Sequence, residues 1–138
     1  MPGWQSKSNV RKNAKKAGYR SGFEHVIAQQ LSEHKINPKE IYETEEIHYI
    51  VPEKKSKYIP DFKLPNGIYI EVKGRLTAAD RRKLQLVKKQ NPELDIRILF
   101  QYANAKILKG SKTTYAMWAE KHGFQWAEKE IPEKWLKS

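Results

Sequence analysis

The stretch from Tyr58 to Gly74, Tyr-Ile-Pro-Asp-Phe-Lys-Leu-Pro-Asn-Gly-Ile-Tyr-Ile-Glu-Val-Lys-Gly, carries the clearest local structure in the chain. Its two strand-like runs, residues 58–64 and 68–73, are separated by Pro65-Asn66-Gly67. Proline, asparagine and glycine between two β-prone runs are a strong signal for a hairpin turn. The sequence therefore predicts an antiparallel β-hairpin here, and Gly74 closes its second strand.

The length of the hairpin loop decides which residues face each other. If the loop has three residues, Leu64 faces Ile68, and continued pairing places Asp61 opposite Glu71. A two-residue Asn-Gly loop would place Asp61 opposite Val72 instead. The sequence leaves both loop lengths open, and only the three-residue loop would oppose the two acids.

Side chains in the second strand alternate between the two faces of the sheet. Glu71 and Lys73 therefore share one face, and Ile70 and Val72 share the other. Opposed carboxylates of Asp61 and Glu71 would repel each other at about 5 Å. Lys73 offers one compensating charge, and a divalent ion with a preference for oxygen ligands, Mg²⁺ or Mn²⁺, offers a stronger one.

This combination of residues matches the needs of phosphodiester hydrolysis. Metal ions held by carboxylates can activate water and neutralise phosphate charge, and a nearby lysine can orient or deprotonate that water. The same spacing would also arise from a surface salt bridge on a solvated sheet face. The preceding Pro60, the hairpin turn and the basic character of the chain favour the first interpretation.

The chain is basic and has 138 residues, a length typical of one domain. The net charge of +11 favours a polyanionic partner, nucleic acid before an acidic membrane surface. The chain contains no cysteine, no glycine-rich phosphate loop and no long apolar run. We expect a cytoplasmic protein that requires no nucleotide cofactor and does not associate with a membrane.

The first twenty residues are predicted to form a flexible basic arm, followed by a single domain over residues 21–138. Residues 1–23 contain six basic residues and no acid. A solubilising tail would have a similar composition, but a chain of this charge favours an arm that grips phosphates. The predicted DNA-binding residues are Lys12, Lys15, Lys16 and Arg20.

The remaining elements predict a mixed α/β domain with a central sheet flanked by helices. Ser21 is a candidate N-cap for a helix that ends before Asn37-Pro38. A β-type pattern follows over residues 41–51, and the charged residues 53–57 interrupt it. A second helix is expected from the capping sequence Thr77-Ala-Ala-Asp80 to Asn91-Pro92, followed by a buried strand over residues 95–100 and a last helix over residues 113–122.

The motif Pro60-Asp61 … Glu71-Val72-Lys73 has the form of the PD-(D/E)xK nuclease signature. Longer runs resemble the phage endonucleases that resolve four-way (Holliday) DNA junctions. The resemblance extends from about Arg20 to Trp135. The runs that carry it are Arg20–Glu24, Tyr58–Phe62, Leu64–Ile68, Asn91–Arg97 and Glu120–Gly123.

The resemblance implies roles for individual residues. Asp61 and Glu71 would ligate the metal together with the carbonyl of Val72, and Lys73 would serve the attacking water. Glu24 would complete the catalytic site, although Ser21-x-x-Glu24 also reads as a helix capping box. Glu43 would correspond to a further catalytic acid, with Glu45 and Glu46 as close competitors.

The resemblance also implies a restriction-endonuclease-like core and an intertwined homodimer. The segment that would cross between protomers is residues 47–59, although a loop within one chain would have a similar sequence. The expected substrate is branched DNA, cut with Mg²⁺ or Mn²⁺. Two alternatives remain open: a PD-(D/E)xK nuclease of restriction, transposition or repair type that cuts duplex DNA, and a non-catalytic nucleic-acid-binding protein.

Overall fold

A computed structural model describes residues 17–51 and 54–137 of the chain. The chain divides into two compact units, residues 1–39 and residues 40–138. Among the described residues, no helix is both long enough and apolar enough to cross a membrane.

The first unit contains helix α1, Gly22–Glu33. The predicted cap is confirmed, because the Ser21 side chain accepts a hydrogen bond from the Glu24 amide at 3.0 Å. The helix ends where the His34 amide bonds back to the Gln30 carbonyl, three residues before Asn37. A short helix α2, Pro38–Ile41, follows and begins at a proline, which suits the first turn of a helix.

Two strands that follow form an antiparallel hairpin, β1 (Ile47–Val51) and β2 (Lys54–Tyr58). The prediction that residues 53–57 merely interrupt the β pattern was wrong over residues 54–57. Tyr58 belongs to this earlier hairpin rather than to the strand that contains Phe62. The charged side chains of Lys55 and Lys57 are exposed, so the strand tolerates them on its solvent side.

The predicted turn at residues 65–67 is confirmed with its three-residue loop. Strands β3 (Phe62–Lys63) and β4 (Tyr69–Lys73) pair antiparallel, with Phe62 opposite Ile70 and Lys63 opposite Tyr69. The Leu64 amide donates to the Ile68 carbonyl at 2.7 Å. Gly67 closes the turn with a φ of 91°, a conformation that glycine adopts without strain.

A four-stranded mixed sheet follows the order β3-β4-β5-β6. Helix α3 (Ala78–Gln90) connects β4 to the parallel strand β5 (Ile96–Phe100). Helix α4 (Tyr115–Lys121) precedes β6 (Trp126–Glu128), which is parallel to β5, and a short helix α5 (Glu133–Leu136) ends the described chain. The sequence did not predict β6, because three residues with one buried side chain show no alternation.

One face of this sheet forms the main core of the second unit. Ile96, Ile98 and Phe100 of β5 pack with the inward side chains of α3, α4 and the β1–β2 hairpin. The mixed α/β fold with helices against the sheet is therefore confirmed within this unit. Because Glu71 lies opposite Ile98 in the parallel register, Glu71 points to the same face as this core.

Truncation of Leu84 tests this packing. Leu84 lies in α3 with 1% of its surface exposed, so Leu84→Ala should lower the free energy of unfolding by about 2–5 kcal/mol. The matched control is Leu108→Ala, since Leu108 is 59% exposed and should change stability by less than about 0.5 kcal/mol. Chemical denaturation measures both, and equal effects of the two variants would contradict the packing described.

Candidate active site

Glu71 is a buried carboxylate at the centre of the candidate site. Its residue is 6% exposed. The Tyr58 hydroxyl donates to its Oε1 at 2.7 Å, and the Lys73 ammonium lies 3.1 Å from its Oε2. Alternation along β4 thus brings Glu71 and Lys73 together, as predicted, but the pair is not a salt bridge on a solvated face.

Burial and charge act in opposite directions on Glu71. Burial raises the pKa of Glu71, while the ammonium of Lys73 and the hydroxyl of Tyr58 offset part of that rise. Burial also raises the pKa of Tyr58 well above its ordinary value, and the negative charge of Glu71 raises it further. Tyr58 is therefore protonated at neutral pH and can donate its hydroxyl hydrogen to Glu71.

Lys73 contacts two carboxylates. Besides Glu71, its ammonium lies 3.2 Å from Oδ1 of Asp80 in the first turn of α3. Burial alone would lower the pKa of Lys73, but the charges of Glu71 and Asp80 outweigh it and raise that pKa. Lys73 is thus a cation at neutral pH, suited to orient a water molecule or an anion rather than to accept a proton from it.

Asp61 is held at the backbone of β4. Its residue is 4% exposed, and its Oδ2 accepts a hydrogen bond from the Val72 amide at 2.8 Å. This bond holds the Asp61 carboxylate beside Val72, the residue that follows Glu71 in β4. The charges of both acids act on Tyr58, in accord with their proximity.

Glu43 lies beside Asp61 in this unit. Carboxylate oxygens of the two residues lie within 4.8 Å of each other, and the Glu43 amide donates to the Asp61 carbonyl at 3.0 Å. The two alternative acids, Glu45 and Glu46, form ion pairs with lysines. Glu45 lies 3.1 Å from Lys63, and Glu46 lies 3.2 Å from Lys57. The geometry therefore favours Glu43 over both as the further acid.

The remaining predicted residues belong to the N-terminal unit. Glu24 lies in the first turn of α1, where its amide is capped by Ser21. Burial raises the pKa of Tyr19 and the charge of Glu24 raises it further, so these two side chains lie close together within that unit. Arg20 is exposed. The predicted DNA-binding residues Lys12, Lys15 and Lys16 lie outside the described residues.

Comparison with known proteins identifies relatives along nearly the whole chain. The family model for phage endonuclease I matches residues 3–138. The chain belongs to the phage endonuclease I family. It is 44% identical to "Endonuclease I" of Escherichia phage T7 over 127 residues, which cover 91% of this chain and 84% of the relative. It is 47% identical to "Endodeoxyribonuclease 1" of Enterobacteria phage T3 over 114 residues, which cover 83% and 74%.

Two polar groups of this member of the phage endonuclease I family contact the predicted residues without having been predicted themselves. Tyr58 is thirteen residues from Glu71 in sequence, and no local pattern indicates their contact. Asp80 was predicted only as a helix-capping residue. Its reciprocal capping bonds with Thr77 are present at 3.1 Å, but Asp80 also binds Lys73. A carboxylate seven residues after a lysine in a strand is not a recognised motif, so the sequence did not predict the contact between Asp80 and Lys73.

The effect of Asp80 on stability should depend on pH. Partial burial alone would raise the pKa of Asp80, but Lys73 and the hydrogen bonds with Thr77 outweigh it and lower that pKa. A group with a lowered pKa stabilises the fold above its unfolded-state pKa and loses that contribution as the pH falls through its folded-state pKa.

We expect Asp80→Ala to lower the free energy of unfolding by about 1 kcal/mol at pH 7, because it removes a cap and an ion-pair partner. The difference from the unmodified protein should shrink below about pH 4. Denaturation at pH 7 and at pH 3 measures it, and a difference independent of pH would rule out a charged role for Asp80.

Proposed function

We propose that this protein is a Mg²⁺- or Mn²⁺-dependent endodeoxyribonuclease that resolves four-way (Holliday) and other branched DNA junctions. The observation that carries the proposal is the pair of buried carboxylates, Asp61 directly before β3 and Glu71 in β4, with the cation of Lys73 beside Glu71. Relatives named "Endonuclease I" and "Endodeoxyribonuclease 1" support the reaction class and DNA as the substrate.

In this proposal, Asp61, Glu71 and the carbonyl of Val72 hold the metal. The donor set fits, because Mg²⁺ and Mn²⁺ prefer carboxylate and carbonyl oxygens. Glu24 and Glu43 are proposed as further acids of the site. The distance of at most 4.8 Å between carboxylate oxygens of Glu43 and Asp61 supports the second assignment, since such a pair is costly to bury without a cation.

The metal and the side chains of the site are proposed to have different roles in hydrolysis. A divalent ion, when bound, neutralises phosphate charge and makes water a stronger nucleophile. Lys73, cationic and fixed by Glu71 and Asp80, donates hydrogen bonds that orient the attacking water or the scissile phosphate. Tyr58 and the Val72 amide hold the carboxylates of Glu71 and Asp61 in place.

The DNA is bound mainly through its phosphates. A net charge of +11 on 138 residues supports strong, salt-dependent attraction to a polyanion. Lys12, Lys15, Lys16 and Arg20 are proposed to contact the backbone. Junctions would be distinguished from duplex by the arrangement of strands around the protein rather than by base sequence.

A homodimer would supply two active sites related by symmetry, as two symmetric cuts in a junction require. We propose that this dimer is intertwined, on a restriction-endonuclease-like core, and that each site takes Glu24 from one chain and Glu71 from its partner. Within a single chain, strands β1 and β2 pair with each other as an antiparallel hairpin. An exchange between protomers would require this hairpin to open.

Cleavage of a synthetic four-way junction tests the activity. With Mg²⁺, the protein should cut the junction but leave its parent duplexes intact. The variant Glu71→Gln should reduce the cleavage rate roughly 100-fold or more, since it removes a metal ligand, and should leave metal-free junction affinity within several-fold. Glu93→Gln is the control, because Glu93 is exposed and distant in sequence from the motif.

Each alternative predicts a different outcome of the same assay. Equal cutting of duplex and junction would indicate a nuclease without junction selectivity. Junction binding without metal-dependent cutting would indicate a non-catalytic binding protein. A Glu71→Gln variant with near-normal activity would remove Glu71 from the reaction.

Complementation between two inactive variants tests the shared active site. Glu24→Gln and Glu71→Gln should each lack activity alone. Co-expressed as a heterodimer with two different affinity tags, they should regain one intact site and nick the junction. If each site were built within one chain, both sites of the heterodimer would lack an acid, and no cleavage would appear.

A further inference from the structure

We propose that Tyr58 is a positioning residue for the reaction, which fixes the carboxylate of Glu71 in the orientation that binds the metal. The inference rests on the proposed metal-dependent function. It goes beyond that function by assigning a role to a side chain outside the PD-(D/E)xK motif.

Burial strengthens the hydrogen bond between Tyr58 and Glu71. Tyr58 is 3% exposed and Glu71 is 6% exposed, so their hydrogen bond of 2.7 Å is shielded from water. An ionised carboxylate only accepts hydrogen bonds, so the hydroxyl must be the donor. A buried bond to a charged acceptor is stronger than one between neutral groups, and an unsatisfied buried oxygen would be costly.

The two partners of Glu71 define the orientation of its carboxylate. Tyr58 binds Oε1 and Lys73 binds Oε2, so rotation of the group would break one or both contacts. A carboxylate offers about four lone-pair positions, and these two contacts use two of them. In the proposed site, the two positions that these contacts leave would serve the cation.

The aromatic ring of Tyr58 is itself immobilised. Tyr58 belongs to the hydrophobic core together with Leu84, Val87 and Ile98. It is also the last residue of β2 and lies three residues before Asp61. Movement of the β1–β2 hairpin would therefore move the hydroxyl that holds Glu71, and would act at the start of the segment that carries Asp61.

Removing a side chain that orients a metal ligand typically lowers metal affinity or activity roughly 10- to 100-fold. For Tyr58→Phe, which removes only the hydroxyl, we expect Mn²⁺ affinity in calorimetry to fall about 10-fold or more. The cleavage rate at limiting Mn²⁺ should fall by a similar factor and recover in large part when the Mn²⁺ concentration is raised. Metal-free junction affinity should stay within about two-fold.

The matched control is Tyr49→Phe. Tyr49 lies in the same hairpin on β1, is 7% exposed and belongs to the same core, and its hydroxyl donates to no carboxylate in the part of the chain described. Its loss should leave Mn²⁺ affinity and cleavage unchanged. Thermal melting of both variants shows whether either change acts through stability alone.

A double variant tests whether Tyr58→Phe lowers Mn²⁺ affinity by way of Glu71 or by a change elsewhere in the protein. In the Glu71→Gln background, Tyr58→Phe should cause no further loss of Mn²⁺ affinity, because the group it positions has been altered. Unchanged or tighter Mn²⁺ binding by the single variant Tyr58→Phe would overturn the inference. An unmodified protein that binds no Mn²⁺ and cuts no junction would instead overturn the proposed function itself.

Discussion

The burial of the Glu71 carboxylate beside the core of the sheet is the constraint on which the rest of the site depends. A buried charge without partners costs several kcal/mol, and a protein avoids that cost by neutralising the group or by surrounding it with partners. Here one oxygen accepts from Tyr58 at 2.7 Å and the other contacts Lys73 at 3.1 Å. These partners offset part of the cost of the charge, and an ionised carboxylate in a region of low dielectric constant attracts a cation more strongly than it would in water.

The sheet supplies the precision that this chemistry needs. Alternation along β4 directs Glu71 and Lys73 to one face, and the parallel pairing with β5 locks that strand against the core. Asp61 precedes the two-residue strand β3, and a hydrogen bond from the Val72 amide holds its carboxylate. Asp80 reaches Lys73 from the first turn of α3, so the cap of a helix and the charge balance of the site share one side chain.

Local signals in the sequence were sufficient for much of the fold. The residues Pro65-Asn66-Gly67 marked a hairpin turn, and the caps at Ser21 and Thr77 marked the starts of two helices. The strand Lys54–Tyr58 could not be predicted, because its lysine-rich pattern resembles a loop until the pairing with β1 is known. Its stability is a property of the hairpin and not of the residues taken singly.

The site shows the same division between local and long-range information. Spacing within one strand predicted that Glu71 and Lys73 would meet, since two residues along a strand share a face. The choice of Glu43 over Glu45 and Glu46 depends on which lysines lie opposite them, and three neighbouring acids give no sequence-based means of deciding. The contact of Tyr58 with Glu71 likewise depends on the packing of one hairpin against another strand.

The central claim is that Asp61 and Glu71 together hold a divalent cation. The most direct measurement is anomalous scattering from crystals of the protein soaked in Mn²⁺. A strong peak about 2 Å from carboxylate oxygens of both residues is the predicted result. Carboxylates that point apart with no peak between them, at Mn²⁺ concentrations that support junction cleavage, would contradict it.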